Sequence, residues 1–191
     1  IKRGPQTPVG LMYRKTEQAH MLYGMEGVPR ADDRRFAMGV LSAALGGGMS
    51  SRLFQEIREK RGLAYSVFSY FAPGQENGIF QAGLQTKNNQ ANVALEVMSS
   101  TIAKFIADGP TQSELLAAKS NLVNGYPLRI DNNRKLLDNV SSIAWNNLPL
   151  DTMEIWTKQV EAVSLEQVKA AFQKYLAMDR MKIVVLGARN K

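Results

Sequence analysis

Apolar positions change period along this chain, and the changes mark out its elements. Val9 to Tyr13 is a short apolar run after Pro8, and Gln18 to Met25 is a second extended stretch closed by Gly27 and Pro29; both predict strands. From Asp32 the spacing becomes helical, with Phe36, Val40 and Ala43 or Ala44 on one face as far as Leu45. Gly46, Gly47 and Gly48 stop that helix. Ser50 or Ser51 is placed to cap a second one carrying Leu53, Phe54 and Ile57, and Gly62 stands where a helix C-terminus favours glycine. Ala64 to Phe71 is rich in aromatic and β-branched residues and predicts a strand; Ala72 to Gly78 reads as a loop, and Ile79 to Thr86 as the returning strand of a hairpin.

The second half keeps a helical beat. Ala91, Ala94, Leu95, Met98, Ile102, Phe105 and Ile106 predict one helix, ended by Gly109 and Pro110. Thr111 with Glu114 spells a capping box for the next, which runs to about Asn124 before a break at Tyr126 and Pro127. Leu136, Leu137, Val140, Ile143 and Ala144 predict another helix, closed by Pro149, and Thr152 to Val160 a short one. Ser164 with Gln167 opens a last helix through Leu176, and Met181 to Leu186 is an apolar strand. Strands early, helices in the middle and a final strand that must rejoin the sheet make an α+β domain. Neither an internal repeat nor a low-complexity linker divides residues 1–191, so a single domain is expected.

Composition narrows the chemistry. The chain has no cysteine and one histidine, His20. It therefore cannot supply a thiol nucleophile, a cysteine zinc site or a two-histidine zinc motif. The absence of cysteine fits an oxidising space and a cytosol equally well. No stretch approaches the roughly 20 apolar residues of a membrane span. The chain opens at Ile1 within a polar stretch, and we read it as a mature form or a piece of something longer. The formal charge of +7 invites a nucleic-acid reading. However, Arg30, Asp32, Asp33, Arg34 and Arg35, and again Arg52, Glu56, Arg58, Glu59, Lys60 and Arg61, interleave the two signs, a pattern of solvated, paired helix faces. A nucleic-acid partner is not expected.

Three features carry candidate chemistry. His20 lies in a strand pattern with Glu17 and Glu26 at no recognised ligand spacing, which favours a structural histidine over a metal ligand. Gly46 to Ser51 resembles a phosphate loop only superficially, because no lysine follows and the segment lies between helices; a tight connection fits better. The third is the stretch from Leu53 to Ser69. Arg58 falls in the last turn of a helix, and Tyr65 follows seven positions later across the reversal at Gly62. A short reversal of this kind can point both side chains into one space. The guanidinium fork and the phenol hydroxyl both suit the carbonyl row of an extended peptide. The competing reading is structural: a helix-terminal arginine offsetting the helix dipole and a strand tyrosine packing at a sheet edge.

The blocks LGGGMSSRLF (residues 45–54) and IREKRGLAYS (residues 57–66) resemble the pitrilysin superfamily of zinc metallopeptidases, which takes in insulysin and the mitochondrial processing peptidases. The likeness is to the second, non-zinc domain. Gln18-Ala19-His20 with Gly24, Gly78-Ile79-Phe80, and Gly109-Pro110-Thr111 with Glu114-Leu115 extend it over most of the chain. The resemblance implies a mostly antiparallel sheet with helices packed on one face. It also implies a homologous domain, on the same or a separate chain, carrying the zinc motif H-x-x-E-H. Carried over residue by residue, the family's substrate-holding Arg–Tyr pair falls on Arg58 and Tyr65, with a peptide as the bound partner. This chain lacks the zinc motif, so the expectation is a substrate-holding domain that binds no cofactor itself and is inactive alone. The alternative is a non-catalytic scaffold subunit, as in the core proteins of respiratory complexes. A periplasmic location is favoured over a cytoplasmic one.

Overall fold

The computed structural model describes residues 9–14 and 16–187; Pro8, expected to precede the first strand, lies outside them. Five strands form one sheet in the order β1-β5-β2-β4-β3. They are β1 (Val9–Tyr13), β2 (Gln18–Gly27), β3 (Val67–Ala72), β4 (Gly78–Lys87) and β5 (Lys182–Gly187). The last strand does rejoin the sheet: β5 lies antiparallel to β2 and parallel to β1. All other pairings are antiparallel.

Strand alternation sorts the two faces. Ala19, Met21, Tyr23 and Met25 of β2 are buried, as are Phe80, Ala82 and Leu84 of β4, while Leu22 and Ile79 are exposed. The buried face meets the helices α1 (Arg35–Gly46), α2 (Ala91–Asp108), α3 (Gln112–Gly125), α5 (Thr152–Ala162) and α6 (Leu165–Tyr175). Helices on one face of a mostly antiparallel sheet make the α+β class expected from the sequence. Tyr23 reaches from the sheet into this layer. Its hydroxyl donates to Leu95 O at 3.2 Å and pairs with Ser99 Oγ at 2.7 Å. Burial pushes this phenol above its ordinary pKa, against the Ser99 hydrogen bond. Between α2 and α6, Phe105 and Phe172 meet edge to face at 4.9 Å. The remaining helix, α4 (Asn133–Trp145), buries only Ile143.

Several boundaries shift for local reasons. Helix α1 begins three residues later than the periodicity suggests. Asp32 instead closes a turn, its carboxylate accepting from Arg34 N at 2.9 Å and its carbonyl from Arg35 N at 3.0 Å. Both capping boxes form as spelled, Thr111 with Glu114 and Ser164 with Gln167. Pro127 opens a single tight turn, Pro127–Arg129, that separates α3 from α4. The glycine run is a helix–helix connection, and Gly46 shows why it must be small. A Cβ there would lie 2.4 Å from Ser69 N and 2.8 Å from both Phe68 C and Ser69 Oγ. The end of α1 thus rides directly on the β3 backbone, where the Ser69 hydroxyl donates to Ser42 O at 2.7 Å. Gly46→Ala should cost about 2 kcal/mol through forced separation of α1 and β3. The expected readout is a fall in Tm of roughly 4–8 °C for a chain of this size; an unchanged Tm would show that the two elements part without cost.

Candidate functional site

The segment that carries Arg58 is wider than an ordinary helix. Residues Phe54–Glu59 form a π-helical turn, with Lys60 N donating to Gln55 O at 3.0 Å across five residues. Such turns are uncommon and concentrate at functional sites. The predicted serine cap is not made: the Ser51 hydroxyl donates back to Gly48 O, closing the glycine connection. Leu53 and Ile57 are fully buried and fix the inner side of the turn. Gly62 ends it at φ +60°. A Cβ on Gly62 would meet nothing within 4 Å, so the requirement there is conformational, not steric. Gly62 N donates to Arg58 O at 2.9 Å and Leu63 N to Ile57 O at 3.0 Å, folding the chain back toward the sheet.

The strand then begins later than expected. Leu63 and Ala64 are buried, the Thr86 hydroxyl donates to Leu63 O, and β3 starts at Val67. Tyr65 therefore sits in the connecting bend instead of at the strand start. Because its two preceding neighbours face the core, its ring is thrown outward and is 84% exposed.

Arg58 and Tyr65 come together there. The Arg58 guanidinium carbon lies 4.7 Å from the centre of the Tyr65 ring and 4.8 Å from that of Phe54. It is held between two aromatic faces, an attraction that leaves its N–H groups unspent. Its nearest carboxylate is Glu59, whose Oε1 is 3.9 Å from Nε, beyond hydrogen-bond reach. Neither the guanidinium nor the Tyr65 hydroxyl hydrogen-bonds to a described residue. The pair is thus a preformed, solvent-facing set of donors. Phe54, as the second wall of the clamp, belongs with it; its spacing of four from Arg58 was the signal for it, and it reads as core from the sequence alone.

The other candidates take structural places. His20 is half-buried on the sheet face away from the helices, in register with Gln85 and Leu186. Among the described residues, no group of three His, Cys, Asp or Glu side chains could hold a metal ion. No described helix is long and apolar enough to cross a membrane. Only part of the interleaved charge pairs locally as expected: Arg34 does so with Asp32, and Lys60 and Arg61 with Glu56, whereas Arg52 reaches Glu114 and Arg30 makes no ion pair among the described residues.

One residue of the glycine-serine-arginine block has a role that its sequence does not announce. Arg52 forms a two-pronged ion pair with Glu114, which completes the capping box opened by Thr111 at the start of α3, and its guanidinium lies 4.7 Å from the centre of the Phe105 ring. Two motif blocks, sixty-two residues apart, meet at this bond. The π-helical turn that presents Arg58 is moored by it to the junction of α2 and α3.

Comparison with known proteins agrees with this architecture. The family model described as the peptidase M16 inactive domain matches residues 4–122. A protein named as an uncharacterized zinc protease from Streptomyces coelicolor is 37% identical over 182 residues, covering 94% of this chain and 39% of its own length. One from Helicobacter pylori, 27% identical and covering 95% of this chain and 42% of its own, is named a non-peptidase homolog. The crystal structure of a peptidase M16 inactive domain from Pseudomonas fluorescens superposes with a TM-score of 0.88 at 33% identity, covering 95% of this chain and 43% of that one. The chain thus spans about two fifths of the length of the curated relatives it matches. The Gly46–Tyr65 block, the hairpin that follows it and the family match together show that this chain belongs to the peptidase M16 family, as its inactive domain.

Proposed function

We propose that this domain grips the backbone of a peptide substrate beside the zinc ion of a homologous domain, within a zinc metallopeptidase. The described residues do not fit a zinc ion, and no step here is routed through one. This domain's contribution is orientation. Arg58 offers a rigid fork of donors to a substrate carbonyl near the scissile bond, and Tyr65 donates its hydroxyl to a second carbonyl or to the oxyanion as charge develops. The observation that carries this reading is the clamped guanidinium, held by Phe54 and Tyr65 with its N–H groups uncommitted. A purely structural arginine would spend those donors on a helix end or a carboxylate. The name of the Streptomyces relative supports a peptidase as the whole protein.

A second reading is a non-catalytic scaffold, favoured by the name of the Helicobacter pylori relative. Tyr65→Phe separates the two. It keeps the ring against Arg58 and removes only the exposed hydroxyl. On the substrate-holding reading, kcat/KM of the complete protein on a peptide falls about tenfold, as for loss of one useful hydrogen bond, at unchanged Tm. Unchanged kinetics at unchanged Tm leaves the pair as surface structure and turns the assignment to the scaffold.

A further inference from the structure

A cavity of about 440 Å³ lies between α1, the outer strand β3 and the helices α3 to α5. Its lining is unusual in charge. Arg30, Arg35 and Arg129 all contribute to it, and no aspartate or glutamate does. The nearest acids do not neutralise it from behind. Asp33 stands 3.8 Å from Arg35 with its carboxylate fully in solvent, and Asp32 gives Arg35 only its backbone carbonyl, at 3.3 Å. Arg30 is the most constrained of the three. Its Nη2 donates to Pro73 O at 3.1 Å, while its Nε is buried without an acceptor among the described residues. A buried charge-bearing donor left unmatched is costly. Burial and the neighbouring Arg35 together pull this guanidinium below its ordinary pKa.

The rest of the wall mixes aromatic and aliphatic side chains with the uncharged polar groups of Ser42, Ser69, Asn139 and Thr152. Phe36 and Trp156 line it, and Trp156 is held rigid by stacking on Tyr126 at 4.6 Å. Tyr126 is fixed in turn by donating to Met153 O at 3.0 Å. The Arg35 guanidinium lies 4.4 Å from the centre of the Phe36 ring and that of Arg129 5.8 Å from the centre of the Trp156 ring, so each apolar surface stands directly beside a cation, as an anion carried on an apolar body requires. The strand residues from Ser69 to Phe71 run along one side, where an extended segment can lie. We infer that this cavity is a binding site for the C-terminal carboxylate of a peptide, with the peptide's last, hydrophobic side chain against Phe36 and Trp156 and its carboxylate among Arg30, Arg35 and Arg129. The choice of a peptide rests on the substrate class proposed above.

The test uses the 191-residue chain, N-acetyl-Ala-Phe with a free carboxylate, and the same dipeptide as its C-terminal amide. The Trp156 indole N–H resonance reports occupancy. The acid should move that resonance on titration and bind at least about tenfold more tightly than the amide, the ratio expected for one charge-assisted hydrogen bond. Arg129 is exposed on its tight turn, so Arg129→Gln should fold. It should weaken the acid about tenfold and leave the amide where it was. Equal binding of acid and amide overturns the inference, as does no shift at saturating acid. Inorganic phosphate alone, or N-acetyl-Glu-Phe-amide, binding as tightly as the acid overturns the terminal-carboxylate specificity. No zinc domain and no cleavage enter this readout. Its failure is therefore distinct from failure of the peptide-holding role, which is read from turnover in Arg58 and Tyr65 variants.

Discussion

Arg58→Ala in the complete protein should lower kcat/KM on a peptide by roughly 10–10², the loss expected when a charged donor to a substrate carbonyl is removed, while Tm moves little. The guanidinium is partly exposed, and among the described residues its charge makes no close ion pair. Stability therefore has little to lose. Turnover has more, because two aromatic walls hold the fork before substrate arrives, and a pre-ordered donor spends no entropy at the moment of reaction. The split between constants tells when the contact is made. A fall confined to KM means that Arg58 binds ground state and transition state alike; a fall in kcat places the stronger contact in the transition state. Arg58→Lys sharpens the result. It keeps the charge and loses the planar fork and its stacking, so it should recover only a small part of the activity. Full recovery would reduce Arg58 to a point charge and remove the two-donor grip. Wild-type kinetics in Arg58→Ala at unchanged Tm would end the substrate-holding role altogether.

The sequence carries the fold further than it carries the site. Period and punctuation were enough for the strands, the helices and both capping boxes, because each is decided by residues close in the chain. The place of β5 between β1 and β2 was not legible, since strand order follows from packing across the whole domain. The same limit applies at the site. The reversal at Gly62 is written locally, so spacing allows Arg58 and Tyr65 to share one space, and it is the resemblance to the pitrilysin superfamily that chooses this over the structural reading. The π-helical turn is not, because five-residue and four-residue hydrogen bonding share the same apolar residues at Leu53 and Ile57. Tyr65 reads as a strand residue from its aromatic neighbours, yet the burial of Leu63 and Ala64 expels it into the bend. Arg52 and Glu114 each sit in a recognisable motif, but nothing in either motif says that the two meet. The cavity charge was hidden for the same reason: Arg30 and Arg35 read as part of one solvated, paired face, and nothing local brings Arg129 to them.

That long-range pair gives the second large effect. Arg52 and Glu114 are only 16% and 17% exposed at the side chain, so their attraction is weakly screened and either partner alone is expensive to leave behind. Arg52→Ala should cost about 3 kcal/mol, the low end for breaking a buried pair, or roughly 6–12 °C in Tm. Part of that is lost packing on Phe105, which Arg52→Met should restore. The double variant Arg52→Met/Glu114→Gln should be markedly more stable than the two single effects predict, because neither charge is then stranded. Strict additivity would mean that the pair is not coupled. The pH dependence follows from Glu114. Burial pushes its carboxyl up, but hydrogen bonds from Arg52 and from the Thr111 backbone and hydroxyl, with the Arg52 charge, hold it below its ordinary 4.5. A depressed folded pKa contributes stability that is fully present above the unfolded value and is lost as pH falls through the folded one. Wild-type Tm should therefore drop more steeply than that of Glu114→Gln below about pH 4.5, and the two curves should run parallel above it. Because Arg52 moors the π-helical turn, Arg52→Ala should also lower kcat/KM well below the transition temperature, by loosening the clamp on Arg58; normal turnover in a destabilised Arg52 variant would show that the clamp holds without its mooring.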